Sequence, residues 1–122
     1  MEKILLNLLK LQNQLRILHW QTDSFSQHKA FGKAYSDLDE LLDSLVEVHQ
    51  GKYGNIKLSS GSKIELLNFN EVKPEKILKE ATEYLSSSFI EEVDPEKDTD
   101  SLNIRDEMLS VLNKLKYLLT LK

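Results

Sequence analysis

The first fifty residues hold a single glycine, Gly32, and no proline. A stretch that long without a breaker favours long helices, and its apolar residues recur at helical spacing. Ile4, Leu8, Leu11, Leu15 and Leu18 follow one another at steps of four, three, four and three, thickened by Leu5 and Leu9. Phe31, Tyr35, Leu38, Leu42 and Leu45 repeat the same steps, with Ala34, Leu41 and Val48 beside them. Each set is one face of an amphipathic helix. Between them, Ser24 and Gln27 have the spacing of a capping box. Helix 1 is therefore expected to end near Gln21 and helix 2 to begin near Ser24. So short a connection makes the two antiparallel neighbours.

Gly51 is the expected end of helix 2, as a residue suited to the left-handed C-terminal position. The segment from Gly51 to Lys73 holds three of the four glycines and the Ser59-Ser60-Gly61-Ser62 cluster, so it reads as a long loop. Ile64 to Leu67 is expected to form a short helical turn within it. Such a loop in a small chain is either functional or spans the end of a bundle. Pro74 suits the first turn of a third helix, with Asn70 as a nearby cap. Ile77, Leu78, Ala81, Tyr84 and Leu85 give that helix its apolar stripe. Asp98, Thr99, Asp100 and Ser101 all suit the N-cap of a fourth helix, which buries Met108, Leu112, Leu115 and Leu119. The expectation is an all-α, four-helix bundle forming one domain over residues 1–122, with a long loop between helices 2 and 3.

Charge is distributed unevenly. The net charge of −4 hides a segment, Glu91 to Asp100, with six acids and one lysine. That segment carries −5, which leaves +1 on the other 112 residues. It reads as a solvated linker. A near-neutral body lacks the basic stripe of a dedicated nucleic-acid binder. The absence of cysteine excludes disulfides, thiolate nucleophiles and cysteine-based metal sites. No apolar run approaches the ~20 residues needed to cross a bilayer. Met1 to Lys10 is interrupted by Asn7 and lacks a small-residue cleavage site, so a cytoplasmic protein is expected.

Two groups of side chains can carry chemistry. Asp39, Asp43 and Glu47 recur at i, i+4, i+8, so they lie on one side of helix 2. Such acids are usually a solvated face, yet at this spacing they repel one another with no lysine between them. His19 continues the Leu11–Leu15 stripe, and His28 precedes Phe31 on the apolar side. The two lie on either side of one hairpin. A single such histidine is usually a hydrogen-bonded boundary residue; imidazole with carboxylate also suits iron, manganese or zinc. His49, at the end of helix 2, reads as a structural cation against the helix dipole. His28 and Asp43 are fifteen residues apart on one helix, or about 22 Å. If they share a site, two chains must meet antiparallel, and a two-fold dimer then has two equivalent sites.

His19-Trp20, His28, Asp43 and Glu47 together resemble the pattern of the mini-ferritin family Dps, within the ferritin-like superfamily. Leu18-His19-Trp20-Gln21-Thr22, His28-Lys29-Ala30 and Gln50-Gly51-Lys52-Tyr53-Gly54 are similar to short Dps-like proteins of bacteriophage genomes. The likeness covers about Leu15 to Gly54. It implies a ferritin-like bundle with ferroxidase-type sites across a two-fold interface. One subunit would supply His19 and His28 as metal ligands, and the other Asp43 and Glu47, with Glu47 bridging two irons. Trp20 would lie near the site as a redox-active aromatic, with Asp39 close by. The implied activity is Fe²⁺ oxidation for iron storage or oxidative protection, with iron at a di-iron site. The implied assembly is at least a dimer and, for the family, a dodecamer, in the host cytoplasm or in a virion. The chain departs from the pattern at Gly32, where the family usually has Asp. Its His19–His28 gap is shorter than usual, and no Lys/Arg-rich tail is visible, so DNA binding is not expected. These departures keep open a non-catalytic alternative, a structural or interaction protein of phage assembly that retains the fold.

Overall fold

The computed structural model describes residues 1–121. Helix α1 spans Glu2–Gln21 and α2 spans Phe25–Tyr53. A 3-10 turn at Phe69–Glu71 precedes α3, Pro74–Glu83. Helix α3 runs on through a π-helical stretch, Tyr84–Ser88, into the short α4, Phe89–Glu91. Together these make the third rod of a four-helix bundle. The fourth is α5, Thr99–Leu118.

The expected stripes supply the core, with Tyr35, Ile77, Ala81, Tyr84 and Leu119 only half-buried at its edge. Ile4, Leu8, Leu11, Leu15 and Leu18 pack against Phe31, Leu38, Leu42 and Leu45 from α2. Leu78, Leu85 and Phe89 close the core from the third rod, and Met108, Leu112 and Leu115 from α5. Each fully buried Leu or Phe contributes about 1.5–3 kcal/mol from leaving water.

Helix directions follow from specific pairs. Gln12 meets Asp39, and His19 meets His28, so α1 and α2 are antiparallel. Tyr53 meets Asp98, while Ala30 and Ala34 line one groove with Leu115 and Leu118, so α2 and α5 are antiparallel. Asn7 and Leu8 share a cleft with Tyr84 and Leu85, whereas Gln21 holds the turn that leads into α3. Helices α1 and α3 are therefore antiparallel as well, which leaves α2 and α3 parallel. Two parallel consecutive helices need a connection that travels the length of the bundle. This is the single-crossover connectivity of ferritin-like folds.

The connection runs lengthwise and does not span the bundle end. Three α1 side chains pin it. The Ser59 N–H donates to Glu2, Leu67 exchanges both backbone bonds with Gln14, and the Phe69 N–H donates to Gln21 Oε1. From Glu2 to Gln21 the helix rises about 28 Å, which ten extended residues cover. Ile64 to Leu67 is accordingly extended rather than helical. The helical turn lies later, at Phe69–Glu71, where the Asn68 and Glu71 side chains form a capping box. Asn70 caps nothing; Lys73 holds the N-cap position of α3, with Pro74 in its first turn.

Helix 2 passes through Gly51 and ends two residues later, before Gly54, whose φ of 87° with ψ of 177° is a positive-φ extended conformation that favours glycine. The added turn carries Lys52 and Tyr53 to the acidic segment, and that contact stabilises it. Tyr53 Oη donates to Asp98, and Lys52 Nζ donates to the Lys97 carbonyl and to Asp100. Asp98 also accepts the Asp94 N–H and is 7% exposed. The segment is thus a folded knot at its C-terminal end, not a solvated linker throughout. Asp98 is the N-cap of α5 by position, but its carboxylate is committed to Tyr53 and Asp94.

At the hairpin, Ser24 Oγ accepts the Gln27 N–H as expected. The reciprocal half of the box is supplied by Thr22: its hydroxyl accepts the Ser24 N–H and donates to the Gln27 amide. No helix is long and apolar enough to cross a membrane among the described residues.

Candidate functional site

His19 is the last turn of α1 and His28 the first of α2. The three-residue hairpin brings their rings into a stack, centroids 3.9 Å apart and planes 15° from parallel. The hydrogen bonds are reciprocal. His19 Nδ1 lies 2.6 Å from the His28 carbonyl oxygen, and His28 Nδ1 lies 2.8 Å from that of His19. A carbonyl can only accept, so each Nδ1 carries the proton. In the neutral rings both Nε2 lone pairs are consequently free. Metal-binding histidines commonly have this arrangement, because the Nδ1–H bond fixes the ring and its tautomer.

Gly32 makes room for the stack. A Cβ at that position would stand 2.8 Å from His19 Cε1. Tyr35 abuts His19 edge-on at 5.5 Å, and the Arg16 guanidinium lies over the Tyr35 ring at 4.8 Å. Arg16 Nε is buried with no hydrogen-bond partner. One turn further on, Asp39 accepts a 2.7 Å bond from Gln12. His28, Tyr35 and Asp39 lie at i, i+7 and i+11 along α2, so one polar seam runs down the α1–α2 hairpin. Sequence reading missed Tyr35 and Arg16. Their signal was present, since Tyr35 lies seven residues after His28 and Arg16 three before His19.

Asp43 and Glu47 are exposed, further along α2 from Asp39. About 22 Å of helix separates Asp43 from His28. Among the described residues, no three His, Asp or Glu side chains come together in one chain. The stack also limits what one ion can do. Two nearly parallel rings cannot both aim in-plane lone pairs at a single ion across bonds of about 2.1 Å. In this pose each Nε2 serves a different ion, or one ring must rotate. Trp20 is 64% exposed and Phe25 73% exposed, so the hairpin ends in two uncovered aromatics.

His49 also differs from expectation. Burial pushes its imidazole below the usual histidine range, aided by the positive N-terminus and opposed by Asp98. It packs against Tyr53 at 4.8 Å as a largely neutral ring near pH 7.

Residues 19–119 match the model of a family of unknown function, DUF5856. The chain belongs to DUF5856. The matched span begins at His19 and takes in His28, Asp39, Asp43 and Glu47. Every candidate ligand is therefore DUF5856 sequence. No curated protein and no solved structure matches the chain.

Proposed function

We propose that this DUF5856 protein is a Dps-like iron-binding protein that oxidises Fe²⁺ at sites shared between two subunits. The observation that carries the reading is the His19–His28 pair, with both Nδ1 protons given to carbonyls and both Nε2 atoms free. The single-crossover bundle supports it, because it is the connectivity of ferritin-like folds. Iron enters as substrate. His19 and His28 of one subunit supply nitrogen donors. Asp43 and Glu47 of the other supply carboxylates, which favour the Fe³⁺ product; the electron passes to peroxide or O₂. Two-fold symmetry makes two such sites per dimer. The uncovered Trp20 and Phe25 are the apolar surface for that contact.

The test is native mass with anaerobic Fe²⁺ titration, followed by admission of oxidant. The expected result is a dimer or larger assembly that binds and oxidises iron. Loss of both on His28→Ala or Glu47→Ala is also expected. Full oxidation by a strict monomer, or by either variant, would overturn the reading.

One observation favours a second reading, a non-catalytic assembly module of phage origin. The ring of His19 fills the space above Gly32, so the position gives no carboxylate to a site. An assembly that forms normally and leaves Fe²⁺ unbound would support it.

A further inference from the structure

Away from the histidines, α1 and α3 do not close on each other. They enclose a cleft of about 180 Å³, roofed by the crossover at Leu67 and Val72. Its walls are mostly apolar, among them Leu8, Leu11, Ile77, Ala81 and Leu85. Roughly 150 Å³ of apolar space accommodates a benzene-sized group, so a short alkyl chain or one ring fits.

Three further observations make this more than loose packing. Tyr84 lines the cleft, and its hydroxyl is buried without a hydrogen-bond partner. A buried, unpaired donor is costly and calls for an acceptor. Asn7 stands beside it with its NH₂ on the Lys3 carbonyl, and its Oδ1, the one acceptor at hand, lies outside hydrogen-bond geometry with the hydroxyl. Secondly, the π-helical stretch begins at Tyr84. Such stretches are rare and gather at functional sites. Here Phe89 N–H reaches the Tyr84 carbonyl five residues back, and Arg105 takes the Leu85 carbonyl. Thirdly, the roof is fixed. Gln14 holds both backbone groups of Leu67, so the crossover stays over the cleft. The rim carries Lys10 and Lys76 against one acid, Glu80. Lys76 and Glu80 pair at only 4.0 Å, both exposed.

We infer that the α1–α3 cleft binds a small amphipathic carboxylate, its alkyl or aryl body among Leu8, Ile77, Ala81 and Leu85 and its head at Tyr84 Oη and Lys10. Among the lining side chains Lys10 and Lys76 outnumber Glu80, while Glu92 acts on Tyr84 from beyond the lining. The anion's head is therefore placed by Lys10 and by the Tyr84 hydroxyl, which donates to it. This site is independent of the iron reading and shares no residue with it.

Octanoate is the probe, titrated into the full chain with leucine and isoleucine methyl resonances followed by NMR. Saturable shifts confined to Leu8, Leu11, Ile77 and Leu85 are expected, with half-saturation below about 1 mM. Octylammonium should bind at least about tenfold more weakly, since the charged acceptor is lost. Ala81→Phe fills the cleft and should abolish the shifts. Lys10 is exposed, so Lys10→Glu keeps the fold and should weaken octanoate several-fold. The inference is overturned if octanoate moves none of these methyls, if octylammonium binds equally well, or if Lys10→Glu binds like the parent.

Discussion

Gly32 lies beneath the imidazole of His19, where an added Cβ would stand 2.8 Å from Cε1. Substitution there has two opposed effects. Alanine in a helix interior stabilises by about 1 kcal/mol over glycine, while the clash displaces a ring held by its bond to the His28 carbonyl. Gly32→Ala is therefore expected to change the melting temperature little and to break the stack. The histidine Hε1 resonances, which ring currents in the stack displace, report it. Gly32→Asp should release the ring as well, so an acid at this position and the histidine stack are alternatives.

Mixing two inactive variants tests the shared site directly. His28→Ala protomers retain their acids, and Glu47→Ala protomers retain their histidines. In a mixed two-fold dimer one site is intact and the other lacks both. Random mixing after unfolding and refolding should restore about a quarter of the parent's iron oxidation. No recovery, in dimers shown by mass to be mixed, would place both groups in one subunit.

Acid should loosen the end of the bundle where α2 meets the acidic segment. Tyr53, with the Asp94 N–H and Lys52, holds the Asp98 carboxyl below its usual range. Its contribution to stability is present above about pH 4 and is lost as pH falls through the lowered value. His49, held neutral by burial, works in the same direction at higher pH. The unfolded chain takes up its proton first, below about pH 6.5, so stability falls from there down to the lowered folded value. Thermal melts should show both slopes. His49→Gln should flatten the upper one and Asp98→Asn the lower.

Gln14→Ala should free the crossover. It removes two hydrogen bonds from Leu67, a loss of about 1–3 kcal/mol. Hydrogen exchange at the Leu67 amide should accelerate while that of Leu15 and Leu45, deep in the core, changes only with global stability. Unchanged exchange at Leu67 would show that the roof is held by packing alone.

The four rods were legible in the sequence because their stripes are long and regular, and all five residues from Ile4 to Leu18 are buried as their spacing predicts. The ends were less so. Gly51 and Gly54 carry the same local signal, and the choice between them is made by Asp98 and Asp100, more than forty residues away, which draw Lys52 and Tyr53 into another helical turn. The path of the crossover was hidden for the same reason, because Gln14 and Gln21 look like ordinary polar positions on a helix. At the site, the hairpin placed His19 and His28 together in one dimension, but the stack depends on what position 32 lacks. A missing Cβ leaves no periodicity to read.

The crossover has a mechanical consequence. Its Ser60–Gly61 turn is exposed and bears no core side chain. A single cut there would separate two pieces of nearly equal length, one holding α1 and α2, the other α3 to α5. Each is a helix pair with one greasy side and no partner of its own. The molecule is in this sense a tethered heterodimer, and the tether's work is to raise the local concentration of one half around the other.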